Sequence, residues 1–445
     1  MISTASSTAR WLATGLCLAA AGIAGAGDAV VKAARGSFFS PSQTPSLGVL
    51  TVGSGATVVF DTGSGTGAPS VSGAARGAGA LGRSASDKVE VALFNFDSIS
   101  LADGAKVQVT GDRGLVLLSK GAVVIDTTIS VAGAPGTNQE SAGKIKLGGP
   151  GGPGADGGGR GKATSSAPPP ANGGDGGIGR NGDNNPGYGM GAGSNVRCRG
   201  GSGGGGGGYG GAGGDSAEGS PPIFSKDGPV PQLGGGVYGD AALTDLFGGS
   251  GGAGGQNDQN FNFASGGGGG GAIGIISLAS IRIGAKGRID ASGGAAGIHK
   301  ARGGGGSGGG VLLAAPTVDL AAGAAIDVRG GDTGALEPDF EAAYQRESVR
   351  TPGTVAPRRD PVHSGGGGGG RVAIYSNTEF GGAGKGAEEK TIPATILLTG
   401  GPVPALVKPD ATYNHPKLGK RTVAQAMAKS GASGTFFDGA WPGLR

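Results

Sequence analysis

Charged residues occupy matched positions in two neighbouring apolar segments of the chain. Arg282 and Asp290 alternate with isoleucines in the first segment, and Asp319 and Asp327 hold the same two places in the second. If the two segments stack, Asp290 and Asp327 lie side by side, one strand spacing of about 5 Å apart. Paired carboxylates beside an arginine would suit calcium binding or acid/base work on an acidic sugar. The alternative is a solvated face that carries an Arg282–Asp319 ion pair.

Tyrosines form a second group with a chemical use. Tyr209 and Tyr238 lie within glycine-rich stretches, as does Tyr188. An exposed tyrosine ring stacks well on a sugar ring, whereas a buried one anchors a loop by packing. The sequence leaves both roles open, so Tyr209 and Tyr238 are candidate ligand-binding residues.

Two Asp-Thr-Gly triplets imitate the active site of an aspartic protease, in which two carboxylates share one proton. The first begins at Asp61, directly after the apolar segment Val58–Phe60, and the second begins at Asp332 after a pair of glycines. Equivalent segments of the chain carry Thr, Ser or Arg where Asp61 stands. Asp61 is therefore interpreted as a corner residue, and the protease is excluded.

The charged segments belong to a repeat of short apolar strands. Alternation of apolar and polar residues with a period of two indicates strands that bury one face. First strands of the repeat are predicted at Leu115–Leu118, Ile273–Ile276, Val311–Leu313 and Val372–Tyr375. Second and third strands are predicted at Leu50–Val52 and Val58–Phe60, Ile99–Leu101 and Val107–Val109, Val123–Ile125 and Ile129–Val131, Ile281–Ile283 and Ile289–Ala291, and Val318–Leu320 and Ile326–Val328, with Ile396–Leu398 closing a last, looser copy.

This repeat predicts an all-β fold. Strands of three to five residues cannot bury a face alone, but stacking the copies as parallel coils buries a continuous column of Val, Ile and Leu. The expected architecture is a right-handed parallel β-helix of about five coils, with long glycine-rich loop insertions. The segment Thr422–Ser430 is predicted to form a short C-terminal helix, ended by Gly431.

The composition divides the chain into regions. The predicted divisions are a signal peptide at 1–26, N-terminal coils at 27–147, a glycine-rich insertion at 148–271, C-terminal coils at 272–401 with a polar loop at 332–363, and a tail or cap at 402–445.

Glycine supplies 106 of the 445 residues, and its placement is regular. Runs at 266–271, 303–310 and 365–370 each stand directly before a predicted first strand. They could be flexible, solvated linkers. They could also be packed extended segments, because no Cβ keeps glycine backbones apart. The regular placement favours partial packing against the stacked coils.

The N-terminal segment resembles a secretory signal. Arg10 precedes a short run of Leu, Ala, Gly and Ile, and Ala24-Gly25-Ala26 offers a small-residue cleavage site. A secreted or extracytoplasmic location, in the periplasm or at the cell surface, is predicted. No later segment reaches 18 apolar residues, so no transmembrane segment is expected in the mature chain. The formal net charge of +4 is scattered, which argues against a nucleic-acid partner.

Several motifs resemble exported bacterial glycine-rich repeat proteins of the parallel β-helix type. The matching features are Leu115–Ser119, the run 203–208 before Tyr209-Gly210, Tyr238-Gly239-Asp240 leading into 248–252, and the glycine run that ends in Arg371–Ile374. The resemblance covers roughly residues 47–400. It implies an extracytoplasmic surface or matrix-like role and supplies no catalytic residues.

The function expected is that of an exported, non-enzymatic structural or adhesive protein whose loops contact cell-surface or extracellular polysaccharide. The alternative is a polysaccharide lyase or glycoside hydrolase, which rests on analogy with other β-helix proteins. No catalytic residue is predicted, and the three histidines lie too far apart in the sequence to indicate a zinc site. No cofactor is expected, apart from calcium at the paired carboxylates.

Overall fold

The described part of the chain folds almost entirely as β-strands and extended segments. The structure, a computed structural model, describes residues 30–137, 189–193, 203–216, 232–255, 264–297, 303–333, 364–377, 394–403, 412–415, 419–422 and 429–444. The helical element that it contains is a short 3-10 turn, Pro41–Gln43. The all-β prediction is therefore confirmed. Residues 1–29, which include the predicted signal peptide, lie outside the described residues.

The strands are numbered in chain order. They are β1 Val31–Lys32, β2 Val49–Val52, β3 Thr57–Asp61, β4 Ser70–Gly73, β5 Gly77–Ala78, β6 Ala80–Arg83, β7 Glu90–Phe96, β8 Ser98–Leu101, β9 Lys106–Thr110, β10 Gly114–Ser119, β11 Val123–Ile125, β12 Thr128–Ser130, β13 Ala272–Ser277, β14 Ser280–Ile283, β15 Arg288–Asp290, β16 Gly310–Ala314, β17 Thr317–Leu320, β18 Ala325–Asp327, β19 Arg371–Ser376, β20 Thr395–Leu397, β21 Thr412–His415, β22 Gly419–Thr422 and β23 Thr435–Ala440.

Consecutive strands of a repeat belong to three different sheets. The triplets β10–β12, β13–β15 and β16–β18 each place one strand in an eight-stranded sheet, one in a five-stranded sheet and one in a four-stranded sheet. The sheet orders are β1-β6-β7-β10-β13-β16-β19-β23, β17-β14-β11-β8-β2 and β12-β15-β18-β20. Strands from successive triplets pair in parallel. The repeat read from the sequence is thus the unit of the parallel sheets.

The apolar residues of the repeat form one column inside these sheets. Val123 pairs in register with Ile99 on one side and Ile281 on the other, and Ile281 pairs with Val318. All of these side chains are buried. Outward neighbours such as Ser100 are exposed, as the period of two requires.

The outer face of the eight-stranded sheet is buried as well. Leu118, Ile276 and Leu312 belong to a second apolar cluster, which the segments 36–41 and 242–247 cover. Strands β10, β13 and β19 are consequently buried along their whole length. Burial on both faces explains why these strands carry continuous apolar runs, whereas apolar and polar residues alternate in the second strands of the repeat.

The N-terminal part departs from a simple repeat. Strand β3 pairs in parallel with β9, and the same sheet continues antiparallel through β4 and β5. Asp61 ends β3, and the rest of its Asp-Thr-Gly triplet turns the chain at the corner, where the N–H of Gly63 donates to the Asp61 carboxylate (2.9 Å). The loop that follows wraps around the buried Arg113, whose guanidinium donates to the carbonyls of Thr62 (3.2 Å), Gly65 and Gly67 (2.9 Å).

The predicted C-terminal helix is not a described element. Thr422 ends strand β22, which pairs antiparallel with β21, and residues 423–428 lie outside the described residues. The polar loop predicted at 332–363 is described only at its first two residues, and Tyr188 also lies outside.

Glycine-rich segments form a bundle beside the sheets, here called the glycine bundle. Its members are extended segments outside the strands: 131–137, 189–193, 203–216, 232–237, 248–255, 264–271, 291–297, 303–309, 328–333, 364–370, 398–403 and 429–434. The described parts of the predicted insertion 148–271 belong to it, apart from the segment around 238–247 that covers the eight-stranded sheet. The packed interpretation of the glycine runs is therefore the one observed for these residues.

The hydrogen bonds of the bundle repeat every three residues. Successive N–H groups of the segment 303–309 donate to three different neighbouring segments and then return to the first. The pairs are Gly305 to Gly365 (3.0 Å), Gly306 to Gly294 (2.9 Å), Ser307 to Ser250 (2.8 Å), Gly308 to Gly368 (2.9 Å) and Gly309 to Ala291 (2.7 Å). Three residues per turn is the period of the polyproline II conformation, whose N–H groups point outwards in rotation.

Contact between backbones is what makes glycine necessary inside the bundle. A Cβ built on Gly306 would lie 2.0 Å from the carbonyl oxygen of Gly268, and one on Gly367 would lie 1.9 Å from that of Gly306. No side chain fits at such positions. At the rim, residues such as Ser292 and Lys429 replace glycine where the segment faces outwards.

Candidate functional site

The predicted carboxylate pair exists, but Arg282 is not beside it. Asp290 of β15 and Asp327 of β18 are register partners in the four-stranded sheet, as the sequence predicted. Arg282 and Asp319 are register partners in the five-stranded sheet, and the two pairs therefore lie on different faces. The turn between the second and third strands causes this separation, because it carries the chain from one sheet to the next.

The Arg282–Asp319 pair is a solvent-exposed ion pair. Nε of Arg282 lies 3.6 Å from Oδ2 of Asp319, and both side chains are 61% exposed. Such a pair contributes little to stability because water screens it. This is the solvated face that the sequence offered as the alternative.

Asp327 is the centre of a different cluster, here called the arginine clamp and defined by Arg288, Asp327 and Arg329. The Asp327 side chain is 0% exposed, while those of Arg288 and Arg329 are 37% and 47% exposed. Arg329 binds the carboxylate through two parallel bonds, from Nε to Oδ1 (2.9 Å) and from a terminal nitrogen to Oδ2 (2.7 Å). A terminal nitrogen of Arg288 donates to Oδ2 as well. The two guanidinium groups thus lie over a buried carboxylate.

The clamp keeps Asp327 ionised. Burial opposes the charged form, but hydrogen bonds from the side chain and backbone of Arg329, with the charges of Arg329 and Arg288, outweigh it and lower the pKa of Asp327. The side-chain hydrogen bond between Arg329 and Asp327 also raises the pKa of Arg329. Both carboxylate oxygens are occupied, so Asp327 offers neither a free base for proton transfer nor an open ligand position for calcium.

Asp290 is held separately by Ser292, which lies just after its strand. Its Oδ1 accepts hydrogen bonds from the hydroxyl (2.7 Å) and the backbone N–H (3.1 Å) of Ser292. Asp290 and Ser292 thus form a local turn next to the clamp, and Asp290 adds a negative charge beside Arg329.

The two candidate tyrosines pack under the glycine bundle. Tyr209 is fully buried, and its ring centroid lies 4.8 Å from that of Tyr238. The guanidinium of Arg371 lies 5.3 Å from the Tyr209 ring centroid. Burial raises the pKa of both hydroxyls. The hydroxyl of Tyr238 donates to the carbonyl of Gly248 and accepts from Ser250. Tyr209 therefore performs the packing role, with no ring face open to a sugar.

Arg288, Arg329 and Arg371 are the residues that the sequence analysis missed. Arg288 and Arg329 each stand two positions from an aspartate in a strand, which places them on the same outward face. That spacing was a usable signal for the clamp. Arg371 directly follows a glycine run, and nothing local indicated its burial.

Neither a metal centre nor a membrane segment is found in the described part of the chain. Its residues contain no group of three or more His, Cys, Asp or Glu side chains arranged to hold a metal ion. Among the same residues, no helix is long and apolar enough to cross a membrane.

Comparison with known proteins gives no relative. No protein-family model matches this chain, and no curated protein or solved structure shows a significant match to it.

Proposed function

We propose that the protein is an exported structural or adhesive protein, built on a right-handed parallel β-helix, that contacts acidic polysaccharide through the arginine clamp. The single observation that supports this most is the geometry at Asp327. Its buried carboxylate fixes the guanidinium groups of Arg288 and Arg329, and part of each side chain faces solvent. Guanidinium groups bind carboxylates through planar paired hydrogen bonds.

The clamp resembles a binding surface more than a reaction centre. A lyase or hydrolase acting on an acidic sugar needs a free carboxylate or another group able to move a proton. Asp327 has both oxygens bonded to arginines, and Oδ1 of Asp290 is bonded to Ser292. Rigid parallel sheets and a backbone-bonded glycine bundle also suit a structural role.

Binding to a polyuronate tests the proposal directly. The full chain is titrated with soluble polygalacturonate and, as the neutral control, with dextran. We expect salt-sensitive binding to the polyuronate alone. A triple variant, Arg288→Gln, Asp327→Asn and Arg329→Gln, should weaken it about tenfold or more, which corresponds to about 1.4 kcal/mol. The aspartate is changed together with the arginines so that no unpaired charge is left buried.

Arg282→Gln is the matched control, because Arg282 is an exposed arginine paired with an aspartate on another face. It should bind the polyuronate like the unchanged protein. Equal binding by the triple variant would contradict the proposal. Release of reducing ends from the polymer, abolished by Asp327→Asn, would favour the enzymatic alternative instead.

A further inference from the structure

Lys106 differs from the other lysines whose side chains the structure describes. It is an exposed residue of β9, and it forms no ion pair with any described residue. Each of the other lysines lies beside an aspartate carboxylate: Lys32, Lys88, Lys120, Lys286 and Lys429. Among these described lysines, Lys106 is thus the one whose charge no neighbouring carboxylate balances.

The fold places Lys106 on the same face as the arginine clamp. Strand β9 lies against β12, the first strand of the four-stranded sheet. The hydroxyl of Thr127, just before β12, donates to the carbonyl of Ala105, just before β9 (2.7 Å), so Lys106 and Thr128 are neighbours. Thr128 is in turn the register partner of Arg288. The three side chains form one row that faces outwards, since the residue after each of them packs into the apolar column.

The strand between Lys106 and Arg288 is uncharged and carries hydroxyl groups. Strand β12 presents Thr128, which is exposed, and Ser130, which is half-buried. The exposed Gln108 of β9 lies beside them. Hydroxyl and amide groups donate and accept hydrogen bonds, as the hydroxyls of a sugar do. Strand β9 is three strand spacings from β18, which carries Asp327, so Lys106 and the centre of the clamp are about 15 Å apart.

A polymer bound at the clamp can follow the strands or cross them, and the two paths meet different side chains. Along β15 it would run from the corner where Lys286 is already paired with Asp103 to the glycine bundle at 291–297. Across the strands it would pass the hydroxyls of β12 and reach the unpaired Lys106. Both paths pass Asp290, so its negative charge does not distinguish them. The path across the strands is the one that offers a further cation.

We infer that Lys106 is a second anchoring residue for the acidic polysaccharide, which lies across the strands in the direction in which the repeats stack. The clamp binds one carboxylate of the polymer, the hydroxyls of β12 face the sugars that follow, and Lys106 binds a later carboxylate. A sugar ring is about as long as the spacing of neighbouring strands, so a dimer centred on the clamp does not reach Lys106. This inference rests on the proposed function of the clamp and adds a length requirement to it.

Calorimetric titration of the full chain with galacturonate dimer and hexamer, at low ionic strength, tests the inference. Lys106→Gln should weaken binding of the hexamer about threefold, which is typical of one exposed ion pair, and leave binding of the dimer unchanged. Lys106→Glu should weaken binding of the hexamer about tenfold, because it also adds repulsion. Lys120→Gln is the matched control, since it removes the same charge from an exposed lysine at the corner between the other two sheets. It should bind both oligomers like the unchanged protein.

The outcomes separate this inference from the proposed function. If Lys106→Gln bound the hexamer as tightly as the unchanged protein does, or lost as much affinity for the dimer as for the hexamer, the inference would be overturned. Equal weakening by Lys120→Gln would overturn it too, because the effect would then be one of net charge. In each of these cases, loss of hexamer binding in the triple variant of the clamp would still support the proposed function. Hexamer binding that the triple variant leaves unchanged would overturn both.

Discussion

Replacing Gly306 with alanine tests whether backbone contact holds the glycine bundle together. The new Cβ would lie 2.0 Å from the carbonyl oxygen of Gly268, whereas ordinary contact begins near 3.4 Å. Segments 264–271 and 303–309 must therefore move apart by more than about 1 Å, which takes the hydrogen bonds between them beyond normal length. Those bonds now run from Gly267 to Gly304 (2.9 Å) and from Gly270 to Ser307 (2.8 Å).

The expected loss of stability follows from the groups left unpaired. Each buried peptide group without a partner costs about 1–3 kcal/mol. Two broken bonds leave two N–H and two C=O groups, some of which find new partners as the segments shift. Alanine also restricts the unfolded chain, which stabilises the folded state by about 0.4–1 kcal/mol and offsets part of this loss. We therefore expect the free energy of unfolding of Gly306→Ala to fall by about 3 kcal/mol.

Urea denaturation followed by circular dichroism measures this change. Gly236→Ala is the matched control, because it makes the same substitution in the same bundle at a position with free space. It should be as stable as the unchanged protein or slightly more stable. If Gly306→Ala lowered the free energy of unfolding by less than about 1 kcal/mol, backbone contact would not be the reason for glycine there.

Three further predictions concern charged side chains. Arg329→Ala should lower the free energy of unfolding, measured in urea, by about 2 kcal/mol, since Arg288 is then the charged partner that remains to the buried Asp327, beside the backbone N–H of residue 329. Arg282→Ala should change the free energy of unfolding by less than about 0.5 kcal/mol, and equal effects would contradict the clamp. Because the folded-state pKa of Asp327 is below the ordinary 3.8, its stabilising effect is present above that pH and is lost as the pH falls through the lower value. Below about pH 4, the melting temperature should therefore fall more steeply with decreasing pH for the unchanged protein than for Asp327→Asn. Parallel curves of melting temperature against pH would refute this. Arg113→Met should lower the free energy of unfolding by about 3 kcal/mol in urea, because several loop carbonyls lose their charged donor. An unchanged denaturation midpoint would show that the loop does not depend on Arg113.

The strands and their register were accessible from the sequence because one simple rule governs them. Residues such as Ile281 and Ile289 alternate with polar neighbours, and burial of one face fixes both the strand and its pairing partner. The eight-residue offset then sufficed to place Asp290 beside Asp327. Strands β4, β5 and β6 were missed, since their small residues and glycines give no apolar alternation.

The clamp and the bundle depend on geometry that no linear pattern displays. Arg288 reaches Asp327 diagonally from one strand to its neighbour. Arg282, eight residues before Asp290, lies on another sheet. The glycine runs carry few side chains, so their partners are set mainly by backbone hydrogen bonds, to which the Ser307 hydroxyl adds a bond accepted from the N–H of Ser250. Only the three-residue rotation of those bonds explains why Gly306 must be glycine and Ser292 need not be.

The glycine bundle also has a consequence for how the protein responds to temperature. Unfolding of an ordinary core exposes apolar surface, which raises the heat capacity, whereas exposure of peptide groups lowers it. The bundle buries mainly peptide groups, so its unfolding offsets part of the heat-capacity increase that the apolar column between the sheets contributes. A smaller heat-capacity change flattens the curve of stability against temperature. The chain should therefore lose less stability on cooling or warming than a protein of the same length with a core of side chains alone.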